Sequence, residues 1–186
     1  VFIYVSAAIF GILSISSEFC TLYFGTGFEK TGTLLNVLVL TLFFFGAGNV
    51  LRTQLLIPQK KDEIYIRSAI LGAVLNLIVD LALIPRYGSY GAAVATVLAE
   101  VVVCVYQFLS VRSEINILKY LSEAFIFLFC GGIMYLILDK VFGVQMGIAG
   151  LSAKIISGIF VYLILVGLVL IVEKLFLTSS HEGERI

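Results

Sequence analysis

Hydrophobic residues in this chain fall into six long runs that are separated by short polar stretches. A helix needs about 20 apolar residues to cross the hydrocarbon core of a bilayer, and each run reaches that length. The runs lack the alternation of apolar and polar positions that marks the strands of a transmembrane barrel. The pattern therefore predicts an all-α polytopic transmembrane helical bundle with six spans, at residues 1–24, 33–56, 64–84, 90–110, 119–141 and 150–173.

Two prolines lie at predicted ends of spans. Pro58 follows the second run, and Pro85 follows the third. Because proline has no amide hydrogen with which to continue a helix, we expect each of them to end one. Residues 85–89 would then form a short hinge, which makes the third and fourth spans antiparallel neighbours.

The composition is typical of a membrane protein. Hydrophobic residues make up 61% of the 186 residues, and charged residues make up 13%. A soluble domain is closer to one half apolar and one quarter charged. The formal net charge is zero, so the chain has no basic surface of the kind that binds nucleic acid.

Sequence patterns that indicate catalysis or metal binding are missing. The three cysteines lie inside apolar runs without CxxC spacing, which is typical of core positions. The single histidine is in the polar C-terminal segment, and no phosphate-binding glycine loop is found. We therefore predict that the protein is not an enzyme and has no metal site and no cofactor.

The distribution of lysine and arginine predicts the orientation in the membrane, because cytoplasmic loops carry the excess of these residues. With alternating spans, one side holds Arg52, Lys60, Lys61, Arg67, Arg112, Lys119, Lys174 and Arg185, and the other side holds Lys30, Arg86, Lys140 and Lys154. The first side is predicted to be cytoplasmic, in a multi-pass protein of the inner (plasma) membrane. Because the chain begins inside an apolar run, we also expect it to be the C-terminal piece of a longer protein.

Polar residues inside the third and fourth spans are candidates for function. Asn76 and Asp80 are four residues apart, as are Thr96 and Glu100, so each pair lies on one helical face. An ionised carboxylate is costly in hydrocarbon and tends to face a protein interior or a wet cavity. A hairpin centred near Gly88 would place Asp80 opposite Thr96 and Asn76 opposite Glu100. These residues could hold the two helices together, or they could line a cavity with a proton or cation site.

Charged residues near the span ends allow two interpretations. Asn49 and Arg52 share a face of the second span. The position of Arg52 favours an extension to the lipid headgroups, although a guanidinium lining a cavity would suit a phosphate. For Glu18 and Lys154, near the outer ends of their spans, we expect contact with water. The candidate cavity residues are therefore Asn49, Arg52, Asn76, Asp80, Thr96 and Glu100.

Several motifs in residues 24–107 resemble a known family. They are GTGFEK at 25–30, NVLRTQLLIP at 49–58, GAVLNL at 72–77, IPRYG at 84–88, GAAVAT at 91–96, and Glu100. This order resembles the second half of polysaccharide flippases of the O-antigen exporter type, within the multidrug/oligosaccharidyl-lipid/polysaccharide exporter superfamily. The chain departs from the pattern at Asp80, where relatives often have a second asparagine.

The resemblance implies the C-terminal half of a MATE-like transporter built from two helical bundles around a central cavity. Residues 1–110 would be the last four helices of the second bundle, 111–175 two additional helices, and 176–186 a polar cytoplasmic tail. Such proteins move undecaprenyl-pyrophosphate-linked oligosaccharide across the membrane by alternating access, for the synthesis of cell-surface polysaccharide. The implied partners are this lipid-linked oligosaccharide, membrane lipid, and a coupling proton or sodium ion.

Other functions stay open at this point. A cation-coupled multidrug exporter of the same superfamily would use Asp80 or Glu100 to bind the coupling ion. A membrane scaffold without transport activity would use the polar residues of the third and fourth spans only to hold its helices together. A lipid-modifying enzyme is disfavoured, because the sequence lacks a catalytic constellation.

Overall fold

The computed structural model of the chain describes residues 1–25, 27–143 and 147–183. Within them it contains helices and no strand: α1 (Phe2–Phe24), α2 (Glu29–Leu51), a π-helical segment (Arg52–Leu56), α3 (Asp62–Tyr87), α4 (Ser89–Val111), α5 (Ile117–Phe142) and α6 (Ile148–Gly183). Six of these helical stretches are long and apolar enough to cross a membrane. The predicted all-α polytopic bundle with six spans is confirmed.

The predicted helix end at Pro85 is wrong. Helix α3 continues through Pro85 to Tyr87. Proline removes one backbone hydrogen bond from a helix, and here the loss falls in the last turn, close to the point where the helix ends anyway. Gly88 makes the turn with a φ of 58°, and its N–H donates to the Ile84 carbonyl at 2.8 Å. Gly88 alone therefore connects α3 to α4, in place of the hinge predicted at 85–89.

The last helix is longer than its predicted span. Helix α6 runs from Ile148 to Gly183, so it extends into the segment that was predicted as a polar tail. The part of α6 with membrane-spanning hydropathy is Ile148–Lys174, which matches the predicted span. Arg185, which contributed to the predicted orientation, lies outside the described residues.

Small residues allow α3 and α4 to pack closely as an antiparallel hairpin. A Cβ atom built on Gly91 would lie 2.7 Å from the backbone carbonyl of Leu83, and one built on Gly72 would overlap a methyl group of Val103. A larger side chain at Gly91 would therefore meet the backbone of α3 directly. Close approach of helices through small residues is typical of membrane proteins.

Helix α2 joins this hairpin to the rest of the bundle. Helix α4 contacts both α3 and α2, while α1 contacts α2, α5 and α6. Helices α2 and α3 meet each other mainly through the π-helical segment. Since α2 and α3 diverge elsewhere, a groove opens between them, and α4 forms its floor. This groove holds most of the polar residues that the sequence singled out.

Candidate functional site

The groove between α2 and α3 contains a cavity of about 360 Å³. Its polar lining residues are Asn49, Arg52, Tyr65, Asn76, Thr96, Glu100 and Gln107. Five of the six candidates from the sequence therefore lie along one cavity, which runs from the Arg52 end of α2 to the middle of α4. The sixth, Asp80, is not among the lining residues.

Arg52 is held inside the cavity by two side chains. Its Nη2 donates to Asn49 Oδ1 at 2.6 Å, and its Nη1 donates to the Tyr65 hydroxyl at 3.2 Å. The guanidinium carbon also lies 5.0 Å from the centre of the Tyr65 ring, which is within the range of a cation–π interaction. These contacts hold the Arg52 side chain at the cavity wall.

A second series of hydrogen-bonded polar residues lies behind Tyr65. The Ser68 hydroxyl donates to the Tyr65 carbonyl at 2.7 Å, and Gln107 Nε2 donates to Ser68 Oγ at 2.8 Å. Ser68 and Gln107 are both buried. Sequence reasoning missed Tyr65, Ser68 and Gln107. One available signal was the position of Gln107, which lies seven residues, or two helical turns, after Glu100 on α4.

Asn76 makes different contacts from those predicted. In the orientation that satisfies both ends of its amide, its nitrogen donates to Asp80 Oδ2 at 3.2 Å and its oxygen accepts from the backbone N–H of Thr96 at 3.3 Å. No direct hydrogen bond joins Asn76 to Glu100 in the described structure. Because Gly72 lies against Ala99 and Val103, Asn76, one turn further along α3, comes level with Thr96.

The two carboxylates near Asn76 differ in their surroundings. Asp80 receives the hydrogen bond from Asn76, but its other oxygen, Oδ1, is buried without a partner in the described structure. Glu100 is half-buried at the cavity wall, and no hydrogen bond or ion pair to another described residue is found for its side chain. The Glu100 carboxylate is therefore free to contact a bound molecule or a cation in the cavity.

A buried ion pair joins α1 to α6, outside the cavity. Lys154 Nζ is 2.9 Å from Glu18 Oε1 and also donates to the Gly143 carbonyl at 3.1 Å. The two side chains are only 4% and 9% exposed. The prediction that both contact water is wrong, because α6 packs against α1 and encloses them.

Comparison with known proteins gives one similarity. No protein-family model matches the chain, and no solved structure matches it. A stretch of 102 residues, 55% of the chain, is 26% identical to a protein of Shigella dysenteriae named "Putative O-antigen transporter". The chain spans about a quarter of the length of that relative (26%). Together with the six apolar helices, this similarity supports a multi-pass membrane protein that resembles a transporter.

Proposed function

We propose that this chain forms part of a flippase for undecaprenyl-pyrophosphate-linked oligosaccharide, which serves the synthesis of cell-surface polysaccharide by alternating access. The similarity to a protein named as an O-antigen transporter supports a role in membrane transport. The chemistry of the cavity supports this substrate class. A lipid diphosphate with attached sugars needs a polar path for its head, while its hydrocarbon tail can stay in the bilayer.

The observation that carries the proposal is Arg52 held at the cavity wall. Asn49 and Tyr65 use two of the five N–H donors of the guanidinium. The remaining donors can bind phosphate oxygens, and a planar guanidinium can do so with two parallel hydrogen bonds. In the predicted orientation Arg52 lies near the cytoplasmic end of α2, where a substrate made in the cytoplasm would enter.

Further along the groove, the polar groups that line the cavity are hydrogen-bond acceptors and not cationic side chains. Glu100 and the side-chain oxygens of Asn76 and Thr96 lie on the walls formed by α3 and α4. Sugar hydroxyls are hydrogen-bond donors, so they suit this part of the cavity. We therefore expect the diphosphate to bind at Arg52 and the oligosaccharide to pass along the acceptor groups.

Complementation of a flippase-deficient strain tests the proposal, with the natural full-length protein as the parent. Arg52→Ala is expected to reduce glycan export about tenfold or more, because a hydrogen bond to a charged group contributes about 1.5–3 kcal/mol. Arg52→Lys should keep part of the activity, since it retains the charge but loses the two-pronged geometry. Glu100→Gln should also reduce export.

Matched controls separate the cavity role from a general loss of charge. Arg86→Ala removes an exposed arginine of α3, and Glu123→Gln removes an exposed carboxylate of α5; neither residue lines the cavity. Both controls should export normally. Membrane abundance is measured for every variant. Normal export by both Arg52→Ala and Glu100→Gln would contradict the proposal, and a collapse of Glu100→Gln abundance would favour a structural role for that residue.

Asp80 favours a second candidate function, cation-coupled drug export. Its Oδ1 atom is buried without a hydrogen-bond partner in the described structure, while its Oδ2 atom accepts from Asn76, which also contacts Thr96 of α4. A proton or sodium ion bound to Asp80 would satisfy that oxygen. If the protein is a flippase, Asp80→Asn should weaken glycan export. If it is a cation-coupled drug exporter, the variant should lose drug resistance in a strain whose glycan export is unchanged.

A further inference from the structure

One aromatic side chain in the cavity wall is largely uncovered. Phe45 is 55% exposed and lines the cavity. It shares one face of α2 with Asn49 and Arg52, which also line the cavity, so its ring borders the groove. The neighbouring rings of Phe43 and Phe44 pack against each other at 5.3 Å, whereas no aromatic partner of Phe45 is found in the part of the chain that the structure describes. The Phe45 ring is therefore accessible to a bound molecule.

The carboxylate of Glu100 lies at the same level of the cavity as Phe45. Helices α2 and α4 run in the same direction, because α3 returns between them in the chain. The Cys104 thiol of α4 contacts the backbone of Gly48 in α2, so these two positions mark a common level. Glu100 precedes Cys104 by four residues, and Phe45 precedes Gly48 by three. The two cavity-lining residues are therefore level to within about one residue along the helix axes.

A phenyl ring and a carboxylate at one level of a cavity match the two kinds of surface on a sugar. The C–H groups on the face of a sugar ring suit the electron-rich face of an aromatic ring. Sugar hydroxyls can donate hydrogen bonds, and an ionised carboxylate accepts them. An apolar chain would cover Phe45 but would leave the Glu100 carboxylate without a donor. Because a sugar satisfies both groups, the pair favours a carbohydrate over a lipid chain or an apolar drug.

We propose that Phe45 and Glu100 form a subsite for the sugar next to the diphosphate, with the sugar ring stacked on Phe45 and a hydroxyl bound to Glu100. Phe45 lies about 10 Å from Arg52 along α2. This spacing leaves room for a diphosphate between the guanidinium and the sugar. The cavity volume of about 360 Å³ is in the range of small-ligand sites. Phe45 is then a specificity-determining residue that distinguishes a sugar-bearing lipid diphosphate from a bare one. This inference rests on the proposed flippase function.

Binding of two probes to the purified full-length protein tests the inference. The probes are undecaprenyl pyrophosphate and the same lipid carrying one N-acetylglucosamine, with affinities measured by native mass spectrometry. The readout is the ratio of the two affinities, because changes that affect both lipids cancel in it. The wild type should bind the sugar-bearing lipid about tenfold more tightly or better, the amount expected for one hydrogen bond to a charged group. Phe45→Leu keeps an apolar side chain without the ring and should reduce the preference about two- to tenfold.

Two further variants separate stacking from a general effect of the substitution. Phe45→Tyr keeps an aromatic ring and should keep the preference. Phe160→Leu makes the same chemical change as Phe45→Leu at a phenylalanine of α6 that is 66% exposed and does not line the cavity, so it should behave as the wild type. Unfolding temperatures check that each variant is folded. If Phe45→Leu is not folded, Phe45→Met decides, because methionine is also apolar and has no ring.

The outcomes separate this inference from the proposed function. A preference that falls in Phe45→Leu and stays in Phe45→Tyr and Phe160→Leu supports the subsite. A preference that survives in Phe45→Leu, or that falls equally in Phe45→Tyr or Phe160→Leu, overturns the subsite while the flippase proposal stands. A wild type that binds both lipids equally has the same meaning. A wild type that binds neither lipid overturns the flippase proposal and this inference with it.

Discussion

Removing one partner of the buried Glu18–Lys154 ion pair should strongly destabilise the protein. The pair is almost fully enclosed, with side-chain exposures of 4% for Lys154 and 9% for Glu18. Breaking such a pair leaves an uncompensated buried charge and costs about 3–5 kcal/mol. For a unit of this size, 1 kcal/mol shifts the unfolding temperature by about 2–4 °C. Lys154→Met is therefore expected to lower it by roughly 6–20 °C.

Fluorescence-detected thermal unfolding in detergent measures this effect. Lys140→Met is the matched control, because Lys140 is exposed near the same end of the bundle. The control should change the unfolding temperature by no more than about 1 °C, since exposed substitutions are usually close to neutral. The double variant Glu18→Gln, Lys154→Met should recover much of the loss, because it removes both charges. If Lys154→Met unfolds within about 1 °C of the parent, the reasoning about the buried pair is refuted.

Three further predictions concern packing, orientation and pH. Gly91→Ala should destabilise the protein by about 1–3 kcal/mol in thermal unfolding, because its Cβ would lie 2.7 Å from the backbone of α3. An impermeant thiol reagent applied from outside should label Ser89→Cys but not Gln59→Cys in a background without native cysteines. The Lys61 side chain holds the pKa of the Glu114 carboxyl below its usual range. Stability from this pair is present at neutral pH and is lost as the pH falls through the lowered pKa, so Glu114→Gln should lower the unfolding temperature slightly at pH 7, and the difference should shrink as the pH is lowered.

Each of these predictions has a control or a contradicting result. Gly167→Ala adds a methyl group where nothing lies within 4 Å, so it should be neutral or slightly stabilising. Labelling of Gln59→Cys alone would reverse the orientation. An unfolding-temperature difference for Glu114→Gln that stays the same as the pH is lowered would mean that the ion pair with Lys61 does not contribute to stability.

The six spans could be predicted because length and hydropathy are local properties of the sequence. Helix ends were harder to predict, as Pro85 illustrates. A proline stops a helix only when the lost hydrogen bond outweighs the remaining interactions, and α3 needs little more than its final turn to reach Gly88. The connection between α3 and α4 is consequently shorter than predicted. The register also differs from the predicted one, since Asn76 contacts the backbone N–H of Thr96 and makes no direct hydrogen bond to Glu100.

Pairings between distant residues could not be predicted from one sequence. Glu18 and Lys154 are 136 positions apart, and each alone is typical of a charged residue near a span end. The contact between Tyr65 and Arg52 could not be predicted from the sequence either. These residues come together only because α3 returns along α2 after the π-helical segment. Spacing on one helix did identify Asn49 with Arg52 and Asn76 with Asp80, because i, i+3 and i, i+4 neighbours share a face in any α-helix.

Photocrosslinking of the substrate to neighbouring positions of α3 tests the central claim most directly. Ala69 lines the cavity, whereas Ile70, the next residue, is 59% exposed and does not line it. A photoreactive amino acid at each position of the full-length protein is irradiated in cells whose lipid-linked oligosaccharide carries a radioactive sugar. We expect labelling at position 69 that disappears when synthesis of the lipid-linked oligosaccharide is blocked, and little labelling at position 70. Equal labelling at both positions, or none at position 69, would contradict the claim that this cavity carries the substrate.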